Sequence, residues 1–151
     1  MNLQTYQIQR VITEQELADA LSVRRIVFIE EQEVPEELEI DEHDTLDGGT
    51  IHFVAYRDGK PVGASRIRTY APGVGKIERV AVAKTERGTG LGRQIMLEME
   101  QLSKQHGYDS LKLNAQTQAQ RFYEKLGYEP FGDLFDDAGI EHIAMVKSIR
   151  E

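Results

Sequence analysis

The chain has 151 residues, which suits one domain with a real core and leaves no room for a catalytic domain beside a separate nucleotide-binding one. Its formal net charge of −8 argues against the nonspecific nucleic-acid affinity of a basic surface, and the absence of cysteine excludes disulfides, thiolate nucleophiles and cysteine metal sites together. The first residues carry neither a basic region nor an apolar run, and no later segment approaches a membrane span. A cytoplasmic protein with no membrane and no nucleic-acid partner is therefore expected.

Residues 6–11 alternate as a short strand. Thr13 and Glu16 then form a capping-box pattern, with Ile12 and Leu17 at hydrophobic-staple positions, which predicts a helix from Glu14 running past Leu21 and Phe28. Residues 30–47 are mostly acidic or small, with only Val34, Leu38, Ile40 and Leu46 aliphatic, and read as a loop with room for a short helix. Residues 51–57 and 61–70 are strands joined through Asp58-Gly59, both of which tolerate positive φ. Residues 76–82 form the next strand. Leu91, Ile95, Met99 and Leu102 then recur at helical spacing, while Arg93, Glu98 and Gln101 occupy other faces. Residues 111–115 read as a strand and Thr117 with Gln120 as a second capping-box pattern. A helix ending at Leu126 is closed by Gly127 and followed by a strand, and residues 141–147 form a terminal strand. There are no repeats.

Between the strand Ile77-Glu78-Arg79-Val80-Ala81-Val82 and the helix lies Arg87-Gly88-Thr89-Gly90-Leu91-Gly92. Amides crowded in a glycine loop at a helix N-terminus carry unsatisfied donors and positive dipole, so a phosphate or pyrophosphate is the natural occupant. The spacing decides which. G-x-x-x-x-G-K-[ST] is absent, and G-x-G-x-x-G fails because Arg93 stands where its third glycine belongs. A small nucleotide-binding module is thereby weakened.

Arg-x-x-Gly-x-Gly after a strand ending Val-Ala-Val resembles the coenzyme A loop of the GNAT N-acetyltransferase superfamily. Phe122-Tyr123-Glu124-Lys125-Leu126-Gly127-Tyr128 resembles a second signature of the same superfamily, in the right order and at the right distance. The resemblance implies a single domain over residues 1–151 of α/β class, with a mixed, mostly antiparallel sheet whose central strand pair splays apart, flanked by helices. It also implies acetyl-CoA as co-substrate, no metal, direct acetyl transfer to a small-molecule amine without a covalent enzyme intermediate, and a homodimer for which no interface is legible.

Carried over residue by residue, the backbone of Val80, Ala81 and Val82 would pair with the pantetheine arm. Arg87 and the amides of Gly88, Thr89, Gly90, Leu91, Gly92 and Arg93 would hold the pyrophosphate, and Asn114 would reach pantetheine or substrate. Tyr123 matches the acid for the departing thiolate, a role suited to a neutral phenol; the plainer alternative is a half-buried packing aromatic. For the base, Glu141-His142-Ile143-Ala144-Met145 and Asn114-Ala115-Gln116-Thr117 resemble the branch containing glyphosate N-acetyltransferase, which favours His142, with Glu78 as second candidate, acting directly or through water. A structural histidine and a salt-bridge glutamate are the plain alternatives.

The arginines with which that branch grips an anionic substrate appear here as Glu78, Gln116 and, less securely aligned, Ile29. Together with the acidic stretch 30–47, this favours a cationic or neutral amine, unless that stretch is merely a solvated face. Arg24 to Gln32 and Glu39-Ile40-Asp41 also resemble a bacterial branch of small acetyltransferases that does not fix the substrate. A non-catalytic coenzyme A-binding sensor is the alternative function, although such a protein needs neither Tyr123 nor a base.

Overall fold

The computed structural model describes residues 5–150. β1 (Gln7–Arg10), β2 (Ile51–Arg57), β3 (Lys60–Ala71), β4 (Val74–Val82), β5 (Ser110–Gln116), β6 (Glu129–Asp137) and β7 (Ile140–Ser148) form one sheet in the order β1-β2-β3-β4-β5-β7-β6. All neighbours are antiparallel except β4 and β5, which are parallel because a helix crosses between them. This is the mixed, mostly antiparallel α/β arrangement expected from the chain.

α1 (Glu14–Arg24) starts at its predicted capping box: Thr13 Oγ1 accepts from Glu16 N, and Glu16 Oε1 accepts from Thr13 N, both at 3.1 Å. The staple does not form. Ile12 is 74% exposed, whereas Leu17 is buried between α1 and the sheet; the amide of Ile12 donates to Glu16 Oε1 at 2.9 Å, so the carboxylate rather than an apolar contact sets the turn into the helix. The helix runs on past Phe28 through a π-helical segment, Arg25–Glu31, and the short helix within residues 30–47 is α2 (Glu36–Glu39).

Asp58 (φ 52°) and Gly59 (φ 78°) make the expected hairpin turn between β2 and β3. α1 and the segment after it lay Leu17, Ala20, Val23 and Val27 on Val54, Ala64 and Ala81 of β2 to β4. On the other face, α3 (Leu91–His106) packs Leu91, Ile95, Met96 and Met99 against Phe53, Ile67, Ile77, Leu111 and Leu113, with Leu102 at the margin. The second capping box is absent. Thr117–Ala119 is a 3-10 turn, Thr117 Oγ1 donates to Glu141 Oε1 at 3.3 Å instead, and α4 (Gln120–Lys125) begins with no side-chain cap. Gly127 (φ 99°) ends α4 as predicted, donating to Glu124 O at 3.0 Å.

Two arginines, each with a side chain 1% exposed, lie between the helical layer and the sheet. Arg24 Nη2 donates to Glu39 Oε2 at 2.8 Å and Nη1 to Asp44 Oδ1 at 2.6 Å. Arg66 clasps both oxygens of Asp41 at 2.7 and 2.8 Å and reaches Asp44 at 2.9 Å. The acidic stretch is therefore neither a solvated face nor a lure for cations at these positions. Glu39, Asp41 and Asp44 are neutralised by arginines from α1 and β3, which fastens residues 39–44 to the sheet.

This clasp is acid-sensitive. Burial opposes ionisation of Asp41, but the hydrogen bonds and charge of Arg66 outweigh it and hold the carboxyl well below its ordinary value. Asp44 is held down likewise by Arg24, against its burial. Glu39 moves the other way, because its burial outweighs Arg24 and Arg79. Where the folded value lies below the unfolded one, the unfolded chain binds more protons, so stability is present above the unfolded value and is lost as pH falls through the folded one. The midpoint of urea unfolding should therefore hold between about pH 7 and 5 and drop steeply toward about pH 3, the range below the unfolded carboxylate values. Asp41→Asn should start lower and flatten that drop; a midpoint independent of acid would refute the account.

Candidate functional site

β4 and β5 pair only from Val74 opposite Ser110 to Ile77 opposite Leu113. Beyond that point they part. The cause is a bulge in β4: the β3 register jumps from Glu78 opposite Arg66 to Ala81 opposite Ala64, with Arg79 in the left-handed region at φ 59°. A non-glycine residue is costly there. Its side chain holds it in place: Arg79 Nε lies 3.0 Å from Glu39 Oε1, and Nη2 donates to Leu38 O at 3.0 Å.

Past the bulge, Ala83 N donates to Val62 O at 2.8 Å, so by strand alternation the backbone of Ala81 faces β3 while that of Val80 and Val82 faces the cleft. This corrects the expectation for Ala81, whose side chain is also spent in the core under α1. Val80 and Val82 turn their backbone edge toward the gap, where no strand pairs with it and Val82 O accepts from Arg87 Nε at 3.1 Å.

The glycine loop is anchored from below. Glu86, buried in the turn before it, accepts from Arg57 at 2.8 and 3.0 Å and from Tyr6 Oη at 2.9 Å. Thr89 turns its hydroxyl to Glu86 O (2.6 Å) and Tyr6 (2.8 Å), so that side chain fixes the loop and does not face the cavity. Gly88 (φ 81°) and Gly90 (φ 91°) are left-handed, and Gly90 precedes α3 without a side-chain cap. Gln94 N is bonded to Gly90 O, which leaves the amides of Leu91, Gly92 and Arg93 without acceptors inside the helix. Arg87 Nη2 donates to Glu31 Oε1 at 2.7 Å across the mouth.

Strand edge, loop and α4 enclose a cavity of about 850 Å³. It is lined by Val80, Val82, Arg87, Gly88, Gly90, Leu91, Gly92 and Arg93 on one side, and by Phe28, Gln32, Glu78, Asn114, Gln116 and His142 on the other, with Phe122 and Tyr123 between. The structure thus brings Tyr123, His142, Glu78 and Asn114 to one space with the loop. Ala81 and Thr89 do not line it, and neither does Ile29. An elongated phosphorylated ligand fits such a cleft, since it offers an unpaired strand edge to an amide-bearing arm and free helix-end amides to an anion.

Tyr123 is half-buried, set edge-on to Phe122 (centroids 5.0 Å apart) and Tyr128 (6.1 Å). Burial pushes its phenol up to about 12, which keeps it a neutral donor. His142 Nδ1 lies 2.7 Å from Ile140 O; with the proton assigned to that nitrogen it donates to the carbonyl, leaving Nε2 as an acceptor. Its ring stacks on Phe135, 5.9 Å away at 26°. Glu78 is caged: Arg68 Nε donates at 2.8 Å, and Arg66 Nη2 and Lys76 Nζ lie at 3.0 and 3.1 Å. Burial raises its pKa, but those three cations outweigh burial and bring it to about 2.

Gln116 Nε2 donates to Gln32 Oε1 at 2.8 Å, a bridge from β5 to the helical layer that sequence reading missed because its partners lie far apart in the chain. Phe135 was missed too, although it stands opposite His142 across the terminal hairpin.

The loop makes a prediction. A Cβ at Gly90 meets no atom within 4 Å, but its φ of 91° disfavours any side chain, and a β-branched one most. Gly90→Val should reshape the loop and weaken coenzyme A binding by about tenfold or more, with the fold retained. Calorimetry beside a melting curve checks this, and unchanged affinity with normal melting would displace the ligand from the loop.

A family profile described as "Acetyltransferase (GNAT) domain" matches residues 8–149. Among curated relatives, the uncharacterized N-acetyltransferase YjcF of Bacillus subtilis is 46% identical over 135 residues, covering 89% of this chain and 94% of that one. YyaT, also of Bacillus subtilis, is 44% identical over 142 residues, with 94% and 95% covered. The crystal structure of an acyl-CoA N-acyltransferase from Pseudomonas aeruginosa superposes with a TM-score of 0.83 at 30% identity, covering 96% of this chain and 99% of that one.

Proposed function

The chain belongs to the GNAT acetyltransferase family, and from that premise we propose that it moves an acetyl group from acetyl-CoA directly to the amine of a small molecule. The observation that carries the reading is the convergence of a strand edge, a left-handed glycine loop on a helix N-terminus, and the side chains of Tyr123 and His142 on one cavity. Val80 and Val82 would pair with the pantetheine arm, and the amides from Gly88 to Arg93 would hold the pyrophosphate. Acetyl-CoA supplies the activated thioester carbonyl.

An amine arrives largely as ammonium and must lose a proton before it can attack. His142 Nε2 is the acceptor with a free lone pair, held in place by Ile140 O and Phe135. Tyr123 donates its phenolic proton to the sulfur that leaves as the new C–N bond forms and the C–S bond breaks, and the second N–H proton, shed by the nitrogen as the amide forms, passes through water to restore the phenol. Glu78, caged by Arg66, Arg68 and Lys76, is the weaker base and stiffens the wall between β3 and β4.

Isothermal titration against acetyl-CoA, CoA, ATP and NAD tests the donor, and release of CoA in the presence of an amine panel tests transfer. Selective binding of ATP or NAD would sink the reading. Tight CoA binding with no transfer to any amine, amino acid or peptide would instead indicate a sensor.

A further inference from the structure

α1 covers one sheet face over β2 to β4, and beyond β4 the helical layer meets that face at Gln116 of β5, which is bonded to Gln32. Strand alternation and register set three rows on it. Lys112, Asn114 and Gln116 of β5 stand opposite Val146, Ala144 and His142 of β7, while Ala144 and His142 stand opposite Phe131 and Phe135 of β6. A groove runs along these rows between Tyr70, Phe131 and Phe135. Asn114 lines both this groove and the cavity holding His142, so the two meet there.

The charges on this face are not equivalent. Arg66, Arg68 and Lys76 all end on Glu78. Lys112 has no carboxylate partner among the described residues. Its Nζ lies 5.2 Å from the centroid of Tyr70 and 5.7 Å from that of Phe131, and donates only to the neutral Asn114 Oδ1 at 3.1 Å. Tyr70 and Phe131 are 55% and 47% exposed, large apolar surface bracketing an unpaired ammonium. Burial first, and then the charge of Lys76, lower the pKa of Lys112, a cost that the charge of an incoming anion would offset. Gln116, opposite His142, and Lys112 are four residues apart on β5, about 13 Å of strand.

Building on the acetyltransferase reading, we propose that the acceptor is an amine with an apolar body ending in a carboxylate: the amine lies at His142, the body in the groove between Phe131 and Tyr70, and the carboxylate on Lys112. The preference for a cationic or neutral amine drawn from the sequence thus gives way to one for a zwitterion. Glu39, Asp41 and Asp44 of the acidic stretch are neutralised by arginines, while Lys112 on this face is left without a carboxylate.

The test is direct binding, which does not depend on turnover. Straight-chain amino acids bearing the amine at the far end, from aminohexanoate to aminododecanoate, and the matching primary amides are titrated into labelled protein with and without CoA, and amide shifts of Asn114 and Ala144 are followed by NMR. The carboxylates should bind about tenfold tighter than their amides, the size of a charge-assisted hydrogen bond, with an optimum at one intermediate length. Lys112→Gln should bring the acid-to-amide ratio close to one, and Lys112→Arg should restore it. Equal affinities in the wild type, or a preference that survives Lys112→Gln, overturns the proposal. A dimer in sedimentation that dissociates in Phe131→Ser and keeps ligand from Ala144 overturns it as well, since the face then belongs to a second copy. Loss of acetyl transfer alone would strike the catalytic reading and leave these binding results to be read as they stand.

Discussion

Tyr123→Phe should lower turnover by roughly 10²–10⁴-fold, the usual range for a positioned acid or base, while acetyl-CoA affinity stays near wild type. The substitution keeps the ring and its edge-on contacts with Phe122 and Tyr128 and removes only the proton donor. The donor is in the right state. Burial raises its pKa to about 12, so the phenol holds its proton throughout the neutral range and releases it to a thiolate only as that charge develops. Removing the hydroxyl also leaves no protein group unsatisfied, so the melting temperature should not fall. Wild-type turnover in Tyr123→Phe would reduce the residue to packing. A loss confined to KM would make it a binding group instead.

What the sequence made legible here is local. The Thr13 capping box, the Asp58-Gly59 turn, the period of α3 and the Gly127 stop each act within a few residues, and each is found in the fold. The glycine spacing likewise located a loop whose left-handed residues and free helix amides can be checked one by one. The illegible parts depend on partners far apart in the chain. Arg24 and Arg66 look like ordinary surface charges until α2 is folded against the sheet, where they take up Asp41, Asp44 and Glu39. Arg79 gives no hint that it will occupy a left-handed position, since its carbonyl and carboxylate partners in residues 38–41 lie some forty positions earlier. That bulge, more than any motif, turns the backbone of Ala81 away from the cleft. Ile12 and Thr117 show the converse: each fits a local pattern, and a stronger polar contact nearby displaces it.

The identity of the base is where geometry and sequence resemblance can be set against each other by experiment. Glu78 and His142 both line the cavity, but a base is useful in proportion to its own proton affinity in the reaction. Glu78 sits at about 2 because Arg68, Arg66 and Lys76 outweigh its burial, which makes it a poor acceptor for an ammonium proton. His142 lines the cavity without such a cage, and its Nδ1 contact to Ile140 O leaves Nε2 as an acceptor. We therefore expect His142→Ala to lose roughly 10²–10⁴-fold of kcat/KM at neutral pH while acetyl-CoA affinity stays near wild type. Glu78→Gln should lose far less activity, although loosening Arg66 and Arg68 will lower its melting temperature. The reverse ranking, with His142→Ala nearly as fast as wild type and Glu78→Gln slow, would transfer the role to the glutamate. Small losses in both variants would leave water to carry the ammonium proton away.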